Sequence, residues 1–87
     1  MDLEALLRDC IVKVCDVPPE SVTSETDLDS LGVDSLASAE IIFEIEIRLQ
    51  RELPNHLLRQ VQQVRTVGDV ARRLEEALEE PTTSAAS

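Results

Sequence analysis

The chain has 87 residues, enough for one small domain with a single modest core and too few for an enclosed active site. Hydrophobic residues make up 43%, which excludes a fully disordered chain, and the aromatics reduce to Phe43, so the core must be aliphatic and suits packed helices better than a sheet. A formal charge of −10 argues against nucleic-acid binding, which calls for clustered Lys and Arg.

The first predicted element is a helix from Leu3 to about Asp16. Leu3, Leu6, Leu7, Cys10, Ile11 and Val14 repeat at the i, i+3, i+4 spacing of one buried face. Asp2 and Glu4 sit in its first turn, where the helix dipole favours negative charge. Pro18-Pro19 ends it, because proline disfavours the α conformation of the residue before it. Cys10 falls on the apolar stripe and reads as core, and Cys15 as a free thiol. Five residues apart on a helix, the two point in different directions and form no disulfide.

Residues 17–34 read as a long loop rich in Pro, Ser, Thr and Asp, with Val17, Val22, Leu28 and Leu31 spaced to pin it to the core. A second helix is predicted from Asp34 or Ser35 to about Arg51, capped by Asp34. Leu36, Ala39, Ile42, Phe43, Ile45 and Leu49 are its apolar positions, and Ile41 and Ile47 widen that band. Phe43 reads equally as core or as an exposed contact. Leu53-Pro54 closes this segment. Leu57, Leu58, Val61 and Val64 predict a short third helix. A fourth starts after Thr66, its N-cap, with Asp69 as capping-box partner. Val67, Val70, Ala71, Leu74, Ala77 and Leu78 form its stripe, and Pro81 stops it. The expected fold is all-α, a four-helix bundle with a long loop between helices one and two and a short third helix. The domain is expected over residues 1–80, with 81–87 a disordered tail.

Charge is unevenly placed. No basic residue lies between Lys13 and Arg48, whereas Arg48 to Arg73 holds six arginines and two acids. A one-signed half is either a solvated face or a surface that steers basic partners. No signal peptide or apolar run of membrane-spanning length is visible, so a cytoplasmic location without membrane contact is expected.

The informative stretch is Thr26 to Glu40. Gly32 permits a positive φ just before the second helix. Ser35 then stands in the first helical turn, beside free backbone amides and the positive end of the dipole, a natural place for a phosphate group. A catalytic serine is not expected, given the lack of a GxSxG elbow and His56 as the single histidine available as a base. Asp27-x-Asp29 does not extend to an EF-hand, since Leu31 and Ser38 fall where ligands are needed, and no metal set is present.

Leu31-Gly32-Val33-Asp34-Ser35-Leu36 resembles the LGxDSL motif of the acyl carrier protein family. Val17-Pro18-Pro19-Glu20-Ser21-Val22, Glu40-Ile41, Leu53-Pro54 and Thr66-Val67-Gly68-Asp69 resemble its other landmarks, so the likeness spans Leu3 to Leu78. The resemblance implies a bundle of acyl carrier type that catalyses nothing itself. It implies 4′-phosphopantetheine carried covalently on Ser35 and placed there by a phosphopantetheinyl transferase. Acyl groups held as thioesters would then be presented to acyltransferase, ketosynthase or acyl-activating enzymes. The family's partner surface, carried over to matching positions, is Asp34, Leu36, Glu40, Phe43 and Glu44. Ile47 and Arg48 stand where carriers of primary fatty acid synthesis usually have acids, Arg51 adds positive charge, and 55–65 is longer than usual. These departures point to a polyketide or other specialised acyl pathway. Asp34 before Ser35 favours acyl over aminoacyl or peptidyl cargo. The alternatives are such an aminoacyl carrier, or an unmodified acidic adaptor of the same fold. A monomer is expected. Met1 directly before helix one suits a discrete protein, although a domain excised from a synthase would look similar.

Overall fold

A computed structural model describes residues 2–79. Within them the chain forms α1 (Leu3–Cys15), α2 (Ser35–Leu49), α3 (Asn55–Gln63) and α4 (Val67–Glu79), with no named strand. The expected all-α four-helix bundle is the observed architecture; the tail expected over 81–87 lies outside the described residues. α1 packs on α2 and α4, and α3 packs on the same two helices.

Each helix end has a local cause. The Asp2 carboxylate accepts hydrogen bonds from the Glu4 and Ala5 amides at 3.1 and 3.3 Å, which makes Asp2 the N-cap of α1. α1 closes at Asp16, which adopts a left-handed conformation (φ 55°) and donates its amide to the Val12 carbonyl. α2 ends in the same way at Gln50 (φ 56°). At the start of α4 the Thr66 hydroxyl accepts from the Asp69 amide at 3.2 Å, and the Asp69 carboxylate accepts from the Thr66 amide at 3.3 Å. The expected capping box is formed in both directions.

The core is aliphatic. Leu7, Cys10 and Ile11 of α1 meet Ile41 and Ile45 of α2, Leu57 and Val61 of α3, and Val67, Val70, Leu74 and Ala77 of α4. Fully burying one such Leu or Ile side chain contributes about 1.5–3 kcal/mol. One expectation needs correction. The inner face of α2 is Ser38, Ile41 and Ile45, flanked by partly buried Ile42 and Leu49, while Leu36, Phe43 and Ile47 are exposed. This helix is apolar on two sides, so periodicity alone could not choose which side turns inward.

The connection between α1 and α2 contains two short 3₁₀ turns, Pro19–Ser21 and Leu28–Leu31. Val22 and Leu28 are buried and Val17 and Leu31 pack against the core, as their spacing predicts. Backbone hydrogen bonds staple this loop to the start of α4. Leu28 donates to the Arg65 carbonyl at 2.8 Å, Val67 to Thr26 at 3.0 Å, and Gly68 to Ser24 at 2.8 Å. The staple fixes the segment that delivers the chain to Ser35.

Candidate functional site

The approach to α2 is set by two backbone devices. The second 3₁₀ turn ends on Gly32, whose φ of 80° and amide bonds to Asp29 and Leu28 reverse the chain at the lip of the bundle. Val33 then donates to the Leu28 carbonyl at 3.1 Å, which ties the next residue back to the turn. Asp34 leaves this turn extended and caps α2, its carboxylate accepting from the Ala37 amide at 2.8 Å while its carbonyl accepts from Ser38.

Ser35 is the first residue of α2 and is exposed. Among the described residues none accepts a hydrogen bond from its hydroxyl, and the Ser35 and Leu36 amides have no partner there either. The site therefore presents an unengaged hydroxyl next to unpaired donors at the positive end of a helix. A phosphodiester on Oγ fits that environment, because amides and dipole both favour its negative charge.

Beside Ser35 lies an open cavity of about 270 Å³ between the second 3₁₀ turn, α2 and α3. Leu28, Val33, Val61 and Val64 line its apolar side, and Asp29, Asp34, Ser35, Ser38 and Gln62 line the rest, so carboxylates as well as neutral polar groups face it. Ser38 is buried at the i+3 position from Ser35, and sequence reasoning did not single it out.

The other sequence-derived candidates divide. Leu36 and Phe43 are 68% and 61% exposed, so Phe43 is a surface residue and not part of the core. Glu40 is exposed beside them. Glu44 is turned toward α1, where Lys13 Nζ lies 3.0 Å from its carboxylate and Arg48 Nε at 3.9 Å. Glu46 is also engaged, accepting the Leu53 amide at 2.9 Å. These pairings depend on how α1 and the 50–54 loop pack, which no local pattern reveals.

Both thiols are muted. Burial, followed by the carboxylates of Asp34 and Glu40, pushes the Cys15 thiol above its ordinary value, and burial does the same for Cys10. Neither is in a disulfide. Among the described residues no group of three His, Cys, Asp or Glu is placed to hold a metal ion, and no helix is long and apolar enough to cross a membrane.

Comparison with known proteins places this geometry in context. The family model described as "Phosphopantetheine attachment site" matches residues 5–74. The acyl carrier protein of Phenylobacterium zucineum (strain HLK1) is 31% identical over 78 residues, which cover 88% of this chain and 95% of that protein. The acyl carrier protein of Bdellovibrio bacteriovorus is 33% identical over 76 residues, or 86% of this chain and 94% of that one. Methylphloroacetophenone synthase of Cladonia uncialis is 35% identical over 57 residues, 66% of this chain, and the match spans 2% of the synthase's length.

Proposed function

The chain belongs to the acyl carrier protein family, and on that premise we propose that Ser35 receives the family's covalent 4′-phosphopantetheine and that the chain carries acyl intermediates of a polyketide or other specialised acyl pathway. The observation that carries this reading is the placement of Ser35. Its hydroxyl is exposed at the first position of a capped helix, free of internal hydrogen bonds and next to unpaired amides.

When bound, the group supplies a terminal thiol that holds an acyl chain as a thioester. The protein's own residues do the positioning. Gly32 and Asp34 fix the backbone so that the Ser35 hydroxyl faces solvent, where a phosphopantetheinyl transferase reaches it. The amides at the start of α2 stabilise the phosphate's charge. The apolar wall of Leu28, Val33, Val61 and Val64 offers partial cover for cargo near the attachment point. Bond-making steps belong to partner enzymes such as acyltransferases and ketosynthases, and the chain works in the cytoplasm with them.

Two observations favour a specialised pathway. Part of the chain is similar to polyketide synthases, among them the non-reducing polyketide synthase Preu3 of Preussia isomera. The last turn of α2 also carries Arg48, and Arg51 follows just beyond the helix. A loading assay tests the cargo. The arm-bearing chain is offered malonyl-coenzyme A with a malonyl transferase, and separately an amino acid with an adenylating enzyme. A malonyl mass gain with no aminoacyl gain is expected. The reverse pattern would reassign the chain to aminoacyl transport.

A further inference from the structure

The cavity beside Ser35 has two chemically different sides. Leu28, Val33, Val61 and Val64 make one of them apolar, and the other is polar. Ser38 lies one helical turn after Ser35, lines the cavity and is 3% exposed. Among the described residues its hydroxyl nevertheless has no hydrogen-bond partner. The side-chain amide of Gln62 and the carboxylate of Asp29, both on the lining, have none there either. Asp34 adds a second carboxylate, one oxygen of which already holds the Ala37 amide. A buried hydroxyl left unpaired is costly, so Ser38 points to a group that belongs beside it.

The chemistry of the lining selects that group. Its carboxylates repel an anion such as a malonyl end. A saturated acyl chain would strip water from Ser38 without replacing the hydrogen bond. A neutral amide does neither. Its carbonyl accepts from Ser38 or Gln62, its N–H donates to Asp29, and methylenes on either side of it lie along the apolar residues. The phosphopantetheine arm is itself built of amides joined by short methylene stretches, and it begins at Ser35, on the lining of the same cavity.

Resting on the carrier reading, we infer that Ser38 and Gln62 form a cradle for an amide of the arm, so that the cavity takes the arm and acyl cargo stays at its mouth. Size supports this division. The 270 Å³ of the cavity has room for about nine water-sized groups. That suits one amide with its neighbouring methylenes, and does not suit the amide and a long acyl chain together. Tethering favours the arm as well, because a group attached through a short flexible link is present at millimolar effective concentration and needs few contacts to stay. The result is a carrier that displays its cargo more than it encloses it, with a hold on the arm that does not depend on what the arm carries.

The test compares amide spectra of the isotopically labelled chain without the arm, with the arm ending in its free thiol, and with the arm carrying acetyl or octanoyl, each form identified by intact mass. The arm alone is expected to shift the backbone amides of Ser38, Val61 and Val64 and the side-chain amide of Gln62. The acetyl and octanoyl forms should reproduce those shifts with no growth with chain length. Ser38→Ala, shown to be folded by circular dichroism and compared with its own arm-free form, should lower the ratio of held to free arm about fivefold and so shrink the shifts at Val61 and Val64. Ser38→Thr, which keeps the hydroxyl, should retain them. Shifts at Val61 and Val64 that arise only with octanoyl, or that are as large in Ser38→Ala as in the parent, would overturn the inference. A parent that gains the arm's mass without these shifts overturns the inference alone, whereas a parent that gains no mass overturns the carrier reading with it.

Discussion

Asp34 shows how one side chain sets the site. Its carboxylate bonds the Ala37 amide at 2.8 Å and so fixes where α2 begins and where Ser35 points. Asp34→Ala removes that bond and should cost about 1 kcal/mol, a fall in Tm of about 4–8 °C for a domain of this size. Thermal denaturation followed by circular dichroism measures it; an unchanged Tm would mean that the cap is idle. Gly68 is a second such position. A Cβ there would lie 2.9 Å from the Ser24 carbonyl oxygen, which the Gly68 amide itself holds. Gly68→Ala gains up to about 1 kcal/mol of helix propensity, but overpacking against a held backbone costs about 1–3 kcal/mol. A net loss of about 1 kcal/mol is expected in urea denaturation, and a gain would show that the loop yields. The roles of Gly32 and Asp34 were legible in the sequence because they depend on the nearest few residues. The pairing of Glu44 with Lys13 was not, because it forms only when α1 lies against α2.

Helix boundaries follow local signals such as caps, prolines and the ends of apolar stripes, so the amino-acid pattern places them within a residue or two. The orientation of α2 is not set locally. Its apolar residues encircle it, and the choice of Ser38, Ile41 and Ile45 as the inner face is made by Leu7, Ile11, Leu57 and their neighbours. The start of α4 gives a test at this scale. Thr66, through its backbone amide first and its side chain second, holds the Asp69 carboxyl below the usual carboxylate range. A carboxylate whose pKa is lower folded than unfolded contributes stability above its unfolded pKa of about 3.9, and the contribution is lost as pH falls through the folded value. The Asp69→Asn variant should therefore be less stable than the parent at pH 7, with a gap that closes as the pH is taken down through that range. Thermal melts at a series of pH values read this directly. A gap independent of pH would mean that Asp69 acts through packing alone.

Across the whole molecule, the bundle and its short third helix were legible because each helix carries its own apolar stripe. The staple between the first loop and the start of α4 was not, since it joins residues some forty positions apart through backbone groups. Net charge acts at this scale too. A charge of −10 on a body with a 12.2 Å radius of gyration repels itself. The exposed pairs Arg72–Asp69 and Arg73–Glu76 are worth at most about 1 kcal/mol each. Repulsion therefore dominates, and screening it should stabilise the fold. Tm is expected to rise by several degrees between about 0.01 and 0.5 M salt. A fall would show that the ion pairs outweigh the net charge.

The placement of the arm on Ser35 is tested most directly by intact mass. The chain and its Ser35→Ala variant, both shown to be folded, are incubated with coenzyme A and a permissive phosphopantetheinyl transferase. A gain of one phosphopantetheinyl unit on the parent and none on the variant is the expected result. A parent that gains nothing, or a variant that gains the same mass, would contradict it.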